Sequence, residues 1–468
     1  MRPGLLGVRE HPVLAAVFAL AGALLTAFGA AVLPSSGSHL PDVCDDSRLV
    51  VAGGTDVSFG SQRRALVEAW NDNDGGVRGS RPPARLVEVS PSSDLQRAQL
   101  KAVEESGSCA YDVLVLDAPW TAEFAARHWV RPLRDLGLTA ADTRDFFTRG
   151  LEMGSYEHEL YALPFNLDVG LLYYRDPSRL PRAPGDWPQE NYIEQLGDYE
   201  GLVVNALEAV WNHGGDGVLT GERIPDAAEL RRAYRALRGV AATIGRPGPL
   251  HDSYWSGYRE SQSLAAFAKA DGSAVLRHWP YAYQTLANEP GLRDDGKLEF
   301  GVEAAPGSTV LGGQTLAVSA RSRHARDALA LVKFLTGDQA ERRLYSCGGF
   351  APTRAAVLGV PPEPGQDARV LPVKTCGEIV RSATGADPDN PAGAPEVMTG
   401  DRLTALAQAI VTALSRARPR PVTAYYSAFS ATLRECAHAV FTGSDPGEDA
   451  FAAAVAASLH GKWATCAP

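Results

Sequence analysis

The chain has 468 residues, 45% hydrophobic and 21% charged, with a formal net charge of -10. That length exceeds one ordinary domain and predicts two lobes, and the composition is that of a folded globular protein rather than a disordered one. The acidic balance removes the basic footprint that a nucleic-acid partner requires.

Arg2 and Arg9 precede an uninterrupted apolar run at residues 13–33. As a helix such a run covers roughly 30 Å, enough to cross a bilayer. Gly29, Ala30 and Ala31 resemble a small-residue cleavage site, so a cleaved signal and a retained anchor both stand open. Either one predicts export. No small-residue-then-Cys signal for lipid attachment precedes Cys44, which follows Pro41, Asp42 and Val43. The six cysteines, Cys44, Cys109, Cys347, Cys376, Cys436 and Cys466, show no C-x-x-C spacing, which argues against a zinc or redox motif. In an oxidising compartment an even count favours disulfides. Six cysteines allow about 15 connectivities. Position along the chain favours Cys44–Cys109, Cys347–Cys376 and Cys436–Cys466.

After a Ser/Pro linker at 34–41, strand and helix signals alternate. Strands are predicted at 49–52, 86–89 and 111–116, with helices at 61–70 and 94–105 between them. This alternation predicts a mainly parallel sheet whose ligand site lies beyond the carboxyl ends of its strands. Asp56 and Asp117 fall at such ends. Gly53 and Gly54 lack the spaced glycines and the lysine of a phosphate-binding loop. Residues 146–157 read as helical.

The stretch 161–175, YALPFNLDVGLLYYR, reads as two strands pinched at a loop, with Pro164 marking the break. Asn166 and Asp168 then stand two residues apart on one side of extended chain. Asn offers donors and an acceptor and ionised Asp only acceptors, a pair suited to a polyhydroxyl ligand. A solvated turn that uses the same residues for their backbone tolerance is the alternative.

Beyond a proline-rich connection at 177–188, residues 201–213 carry a helical apolar stripe, with Asn205 and Glu208 expected on its polar face. Further helices are predicted at 227–244 and 261–270. In 273–287 an apolar pair runs into Trp279, Pro280 and Tyr281 and then a helix. The proline puts the two rings near a loop, where a flat aromatic face stacks on a sugar ring. Gly312, Gly313 and Gln314 separate two apolar runs at 309–319, where glycine permits close backbone approach. Helices at 322–335 and 338–346, a Pro/Gly-rich segment at 358–395, and helices at 401–416, 423–441 and 449–460 complete the chain. A basic turn, Arg418 to Pro421, precedes the last two.

From Arg48 onward the chain resembles the extracellular solute-binding proteins of ABC-type sugar importers, in the branch for maltose, trehalose and related oligosaccharides. The resemblance rests on YDVLVLDAPWTAEFA, YALPFNLDVGLLYYR, GLVVNALEAVW, RHWPYAY, VLGGQTLAVS, GGFAPTR and RPRPVTAYYSAFS, in that order. It implies an α/β, two-lobed periplasmic-binding-protein fold of type II, each lobe a mainly parallel sheet flanked by helices about a hinge. Residues 1–44 would be leader or anchor plus linker, 45–160 with 305–350 one lobe, and 161–304 with 351–468 the other. It also implies ligand residues: Asp117 as a hydroxyl acceptor, Asn166 and Asp168 in the loop after the first crossing, and Trp279 and Tyr281 as stacking platform. Gly312 and Gly313 would give backbone contacts, Arg420 would close over the sugar, and Asp56 would add a polar group. Glu208 and Arg354 match as further positions.

The implied function is extracytoplasmic carbohydrate binding by a monomer, without cofactor or catalysis, and delivery to a membrane permease by hinge closure. Two departures stand out: the lipid-attachment cysteine is absent, and Gln314 stands where relatives often place an aromatic. A membrane-anchored sugar sensor feeding a signalling partner is the alternative. A glycoside hydrolase using Asp117 and Asp168 is another, and it would need those carboxylates at a fixed separation.

Overall fold

The computed structural model describes residue 44 and residues 47–466, apart from 74–79, 187–188, 222, 366 and 385–396. The apolar run at 13–33 lies outside the described residues. Among the described residues no helix is long and apolar enough to cross a membrane.

The strand Leu49–Gly53 is apolar throughout and wholly buried, as a strand covered on both faces must be. It pairs in parallel with Ala84–Glu88 and Val113–Asp117. Helix Gln62–Asn73 follows it, burying Leu66, Val67 and Trp70. Helix Ser93–Glu105 leads into the third of these strands.

The sheet is completed by the ten-residue strand Thr309–Val318. It runs antiparallel to Val113–Asp117 and to Ala162–Asp168, and parallel to Ala417–Pro419. Gly312 and Gly313 are therefore inside a strand and not in a loop between two. Gly313 has φ +125, and a Cβ there would lie 2.0 Å from the Asn166 carbonyl oxygen, so the close approach of the two strands requires glycine.

Pro164 does not break its strand either. The register slips at this point, from Asn166 opposite Gln314 to Pro164 opposite Thr315. Such a bulge is where a residue without an N–H is tolerated. The break falls at Val169 and Gly170 instead, which places Asn166 and Asp168 on a strand rather than at a bend.

There the chain leaves the six-stranded sheet for a four-stranded one. Leu171–Tyr174 pairs antiparallel with Gly301–Ala304 and with Val275–His278, which pairs in parallel with Tyr192–Ile193. Both sheets are mixed, where a mainly parallel arrangement was expected. Helix Glu200–Asn212 is buried along nearly its whole length, Asn205 and Glu208 included, so it has no polar face. It packs among Ala227–Ile244 and Tyr426–Thr442, and Glu448–Leu459 packs on those two.

Other differences are local. The segment expected to be helical at 146–157 holds helix Thr148–Met153 and then the first strand of a small hairpin, Ser155–Tyr156 with Glu159–Leu160. The Pro/Gly-rich segment contains a helix, Cys376–Thr384. A disulfide ties that helix to Cys347, and the others join Cys44 to Cys109 and Cys436 to Cys466. All three are the sequential pairs. Cys347 and Cys376 are separated by 29 positions, and closing a loop of that order stabilises by roughly 3–4 kcal/mol in the loop-entropy model.

Candidate functional site

Sheet register brings four of the expected residues together. Gln314 stands opposite Asp117 on one side and Asn166 on the other, and Gly312 stands opposite Asp168. A Cβ at position 312 would lie 3.4 Å from the Asp168 Cβ and 3.8 Å from Arg420 Nη2, so this bare position sits between the two. Arg420 reaches it because Ala417–Pro419 pairs alongside Thr309–Leu311.

The Arg420 guanidinium donates to Asp117 Oδ1 at 2.9 Å through Nη2 and to Glu200 Oε1 at 2.7 Å through Nη1. Glu200 also accepts from the hydroxyls of Tyr426 and of Ser430, the latter at 2.7 Å. Burial raises the Glu200 carboxyl above its ordinary value, against the opposing charge of Arg420. One arginine thus spans a carboxylate at the end of a sheet strand and another at the start of a buried helix.

Asp168 is placed differently. Its Oδ2 accepts from Asn166 Nδ2 at 3.3 Å, while its Oδ1 is buried without a partner. Asn166 Oδ1 is likewise buried and unpaired on a residue only 1% exposed. Burial, helped by the neighbouring Asp117 charge, pushes the Asp168 carboxyl up to about 8, with Arg277 and Arg420 opposing. Near neutral pH this group therefore holds a proton and can donate as well as accept. Buried polar atoms are normally paired, so two adjacent vacant acceptors stand out from the rest of the interior.

Trp279 and Tyr281 follow strand Val275–His278 and are half-buried. The Arg277 guanidinium lies 3.9 Å from the centre of the Trp279 ring, covering one face. Tyr281 meets Phe350 and His278 edge-on. Arg277 is 0% exposed and forms a two-pronged pair with Glu208, whose Oε1 also accepts from Thr309 Oγ1 at 2.8 Å and the Val310 N–H at 2.9 Å. Glu208 is thus held in a buried ion pair that both its oxygens serve.

Three other expected residues have structural partners of their own. Asp56 accepts from Ser58 N–H and Oγ and from the Arg63 N–H at 2.9 Å, so its carboxylate caps helix Gln62–Asn73. Arg354 donates to the Thr336 carbonyl and stacks 4.0 Å from the Phe146 ring, which makes it a packing residue. Gly313 serves strand approach, as described. Gln314 is fixed by Arg63, whose Nη2 donates to its Oε1 at 2.8 Å.

Glu200, Arg277 and Tyr426 escaped sequence reasoning. The first two had a readable signal: Arg277 is a charge inside an otherwise apolar strand, and Glu200 opens an apolar helix. Such charges need partners when buried.

The profile of the bacterial extracellular solute-binding proteins matches residues 85–369. A probable ABC transporter-binding protein of Deinococcus radiodurans is 27% identical over 319 residues, 62% of this chain and 72% of that protein. Among solved structures, maltose-bound T. maritima MalE3 superposes with a TM-score of 0.62 at 20% identity, covering 88% of this chain and 99% of that one. An ABC transporter solute-binding protein of Thermotoga lettingae, bound with α-D-tagatose, gives 0.61 at 16% identity over 88% and 98%. The two structural likenesses cover 88% of the chain.

Proposed function

Because the chain belongs to the bacterial extracellular solute-binding protein family, we propose that it binds a carbohydrate outside the cytoplasm and hands it to an ABC-type permease. The observation that carries this reading is the pair of buried, unpaired acceptors Asn166 Oδ1 and Asp168 Oδ1. They lie in the same neighbourhood as the aspartate–arginine pair Asp117–Arg420. Sugar hydroxyls donate and accept at once, and so suit acceptors and a protonated carboxyl together. Trp279 supplies the apolar face, stiffened from behind by Arg277. The relatives bound with maltose and α-D-tagatose support the ligand class.

Each sheet would be the core of one lobe, with the chain crossing between the sheets at Val169 and Gly170, beyond the boundary expected at 160–161, and again ahead of Thr309. Gly170 N–H donates to Thr309 Oγ1 at 2.6 Å, tying the two crossings together. Closure about them favours the ligand-bound state by the extra contacts that the ligand makes only when both lobes reach it. The apolar run at 13–33 would serve as export signal or anchor.

Calorimetry of the purified protein against maltose, D-tagatose and ribitol, with buffer as blank, tests this. Saturable binding of one of them, with the sugar recovered intact after incubation, is the expected result. Hydrolysis of maltose, or no saturable binding across a wider panel of mono- and disaccharides, would overturn it.

A further inference from the structure

Helix Glu200–Asn212 grips the second crossing between the sheets at two points. Asn212 bonds both the N–H and the carbonyl of Ser308, each at 2.9 Å. One helical turn earlier, Glu208 Oε1 accepts from Thr309 Oγ1 and the Val310 N–H. The same carboxylate holds Arg277, through Oε2 to Nε at 2.9 Å and through Oε1 to Nη2. Arg277 in turn lies across the Trp279 ring.

The first crossing enters this network at Thr309, where the Gly170 N–H donates to Oγ1 at 2.6 Å. A Cβ on Gly170 would lie 2.5 Å from that oxygen and 3.0 Å from Arg277 Nε and Nη2. The backbone of the first crossing is thus pressed against both the hydroxyl and the guanidinium. Thr309 is 1% exposed, and its hydroxyl accepts from one crossing while donating to the carboxylate that holds Arg277. The Trp279 carbonyl is fixed separately, by the Tyr173 hydroxyl at 2.8 Å. What Arg277 governs is therefore the ring.

We infer that Thr309 is a positioning residue for the ligand: through Glu208 and Arg277, its hydroxyl couples the arrangement of the two crossings to the placement of the Trp279 ring. A shift in the crossings moves the guanidinium and with it the face on which a sugar stacks. Conversely, a sugar seated on that face favours one arrangement of the crossings. The effect on binding rests on the proposed stacking at Trp279; the coupling between hydroxyl and ring does not.

Thr309→Val keeps the branched shape but leaves the Gly170 N–H without its acceptor. In full-length protein labelled with 15N at tryptophan, the Trp279 indole signal is assigned by its loss in Trp279→Phe. That signal should shift in ligand-free Thr309→Val and return to its parent position in Thr309→Ser. Affinity for maltose, measured by calorimetry, should fall roughly tenfold in Thr309→Val and recover in Thr309→Ser. If Thr309→Val does not fold, Gly170→Ala takes its place, because its methyl wedges the same junction. An unmoved Trp279 signal, an unchanged maltose affinity, or a serine variant that restores neither would each overturn the inference. If the parent itself does not bind maltose, the sugar reading is what fails, and the indole signal alone decides the coupling.

Discussion

Two arginines in this molecule are built alike and used differently. Each faces a carboxylate and lies against an aromatic ring: Arg277 with Glu208 and Trp279, Arg420 with Asp117, Glu200 and Tyr426. Around Arg277 both partners are nearly out of solvent, at 0% and 1% side-chain exposure, and Glu208 Oε1 gathers two further donors from Thr309 and Val310. Around Arg420 the carboxylates keep 22% and 14% exposure, and vacant acceptors sit next to it on Asn166 and Asp168. The first arrangement joins helix Glu200–Asn212 to strands of both sheets. The second is poised to exchange partners. Each arginine keeps one buried nitrogen without a partner, Arg277 Nη1 and Arg420 Nε, so the contrast lies in the carboxylates: the fully engaged Glu208 fixes a fold, whereas acceptors left open can change their bonding when a ligand arrives.

The largest effect should come from breaking the closed pair. Glu208→Ala leaves the Arg277 charge buried and unpaired, and removing one partner of such a pair costs about 3–5 kcal/mol. Urea unfolding should report it. The double variant Glu208→Leu/Arg277→Met should recover much of the loss, because it removes both desolvated charges. A single-variant loss below about 1 kcal/mol, the range of an exposed pair, would erase the distinction between the two arginines.

The open arrangement should respond in binding rather than in stability. Asp168→Ala and Trp279→Ala should each weaken sugar binding tenfold or more, a factor of ten being about 1.4 kcal/mol. The ligand-free melting temperature of Trp279→Ala should stay near that of the parent. Unfolding of Trp279→Ala, with normal binding by its folded fraction, would make this ring part of the core.

Asp168 also gives a pH signature. With its carboxyl raised to about 8 in the folded protein, the folded state holds a proton that the unfolded state has released above its ordinary carboxylate value. Stability from this group is full below that ordinary value and is lost as pH rises through the folded one. The melting temperature of the parent should therefore decline between about pH 4 and 8, and less steeply in Asp168→Asn. Equal slopes would show that Asp168 is ionised in the folded protein.

The smallest effect is expected at Asp56. Asp56→Ala removes a helix cap worth about 1 kcal/mol and should leave sugar affinity unchanged. A tenfold loss of affinity would return Asp56 to the site.

Periodicity made most elements legible, since apolar spacing carries their burial; helix Ala227–Ile244 is an example. Proline and glycine misled because their meaning depends on the neighbouring strand. Pro164 reads as a break until a bulge is seen opposite it, and Gly313 reads as close approach to a ligand until the Asn166 carbonyl is seen against it. The site was half legible. Asn166 and Asp168 stand close in sequence, but Arg277 pairs with Glu208 across 69 positions and Arg420 with Asp117 across 303. No local pattern encodes such distances. What the sequence does carry is the anomaly of a charge within an apolar run, as at Glu208 and Arg277, and that anomaly predicts a pair without naming it.

Strand Thr309–Val318 has a consequence for how the protein comes into being. Its partners are strands made long before it, Val113–Asp117 and Ala162–Asp168, and one made long after, Ala417–Pro419. Pairing over such separations must close very large loops before any contact rewards the closure, which makes assembly slow. The six-stranded sheet therefore completes only when almost the whole chain is present. A chain arrested before Ala417 would hold Asp117 and Asp168 but lack the arginine between them. If Arg420 closes over the sugar as proposed, the unfinished chain would lack a complete site, and binding would appear as one of the last events of folding.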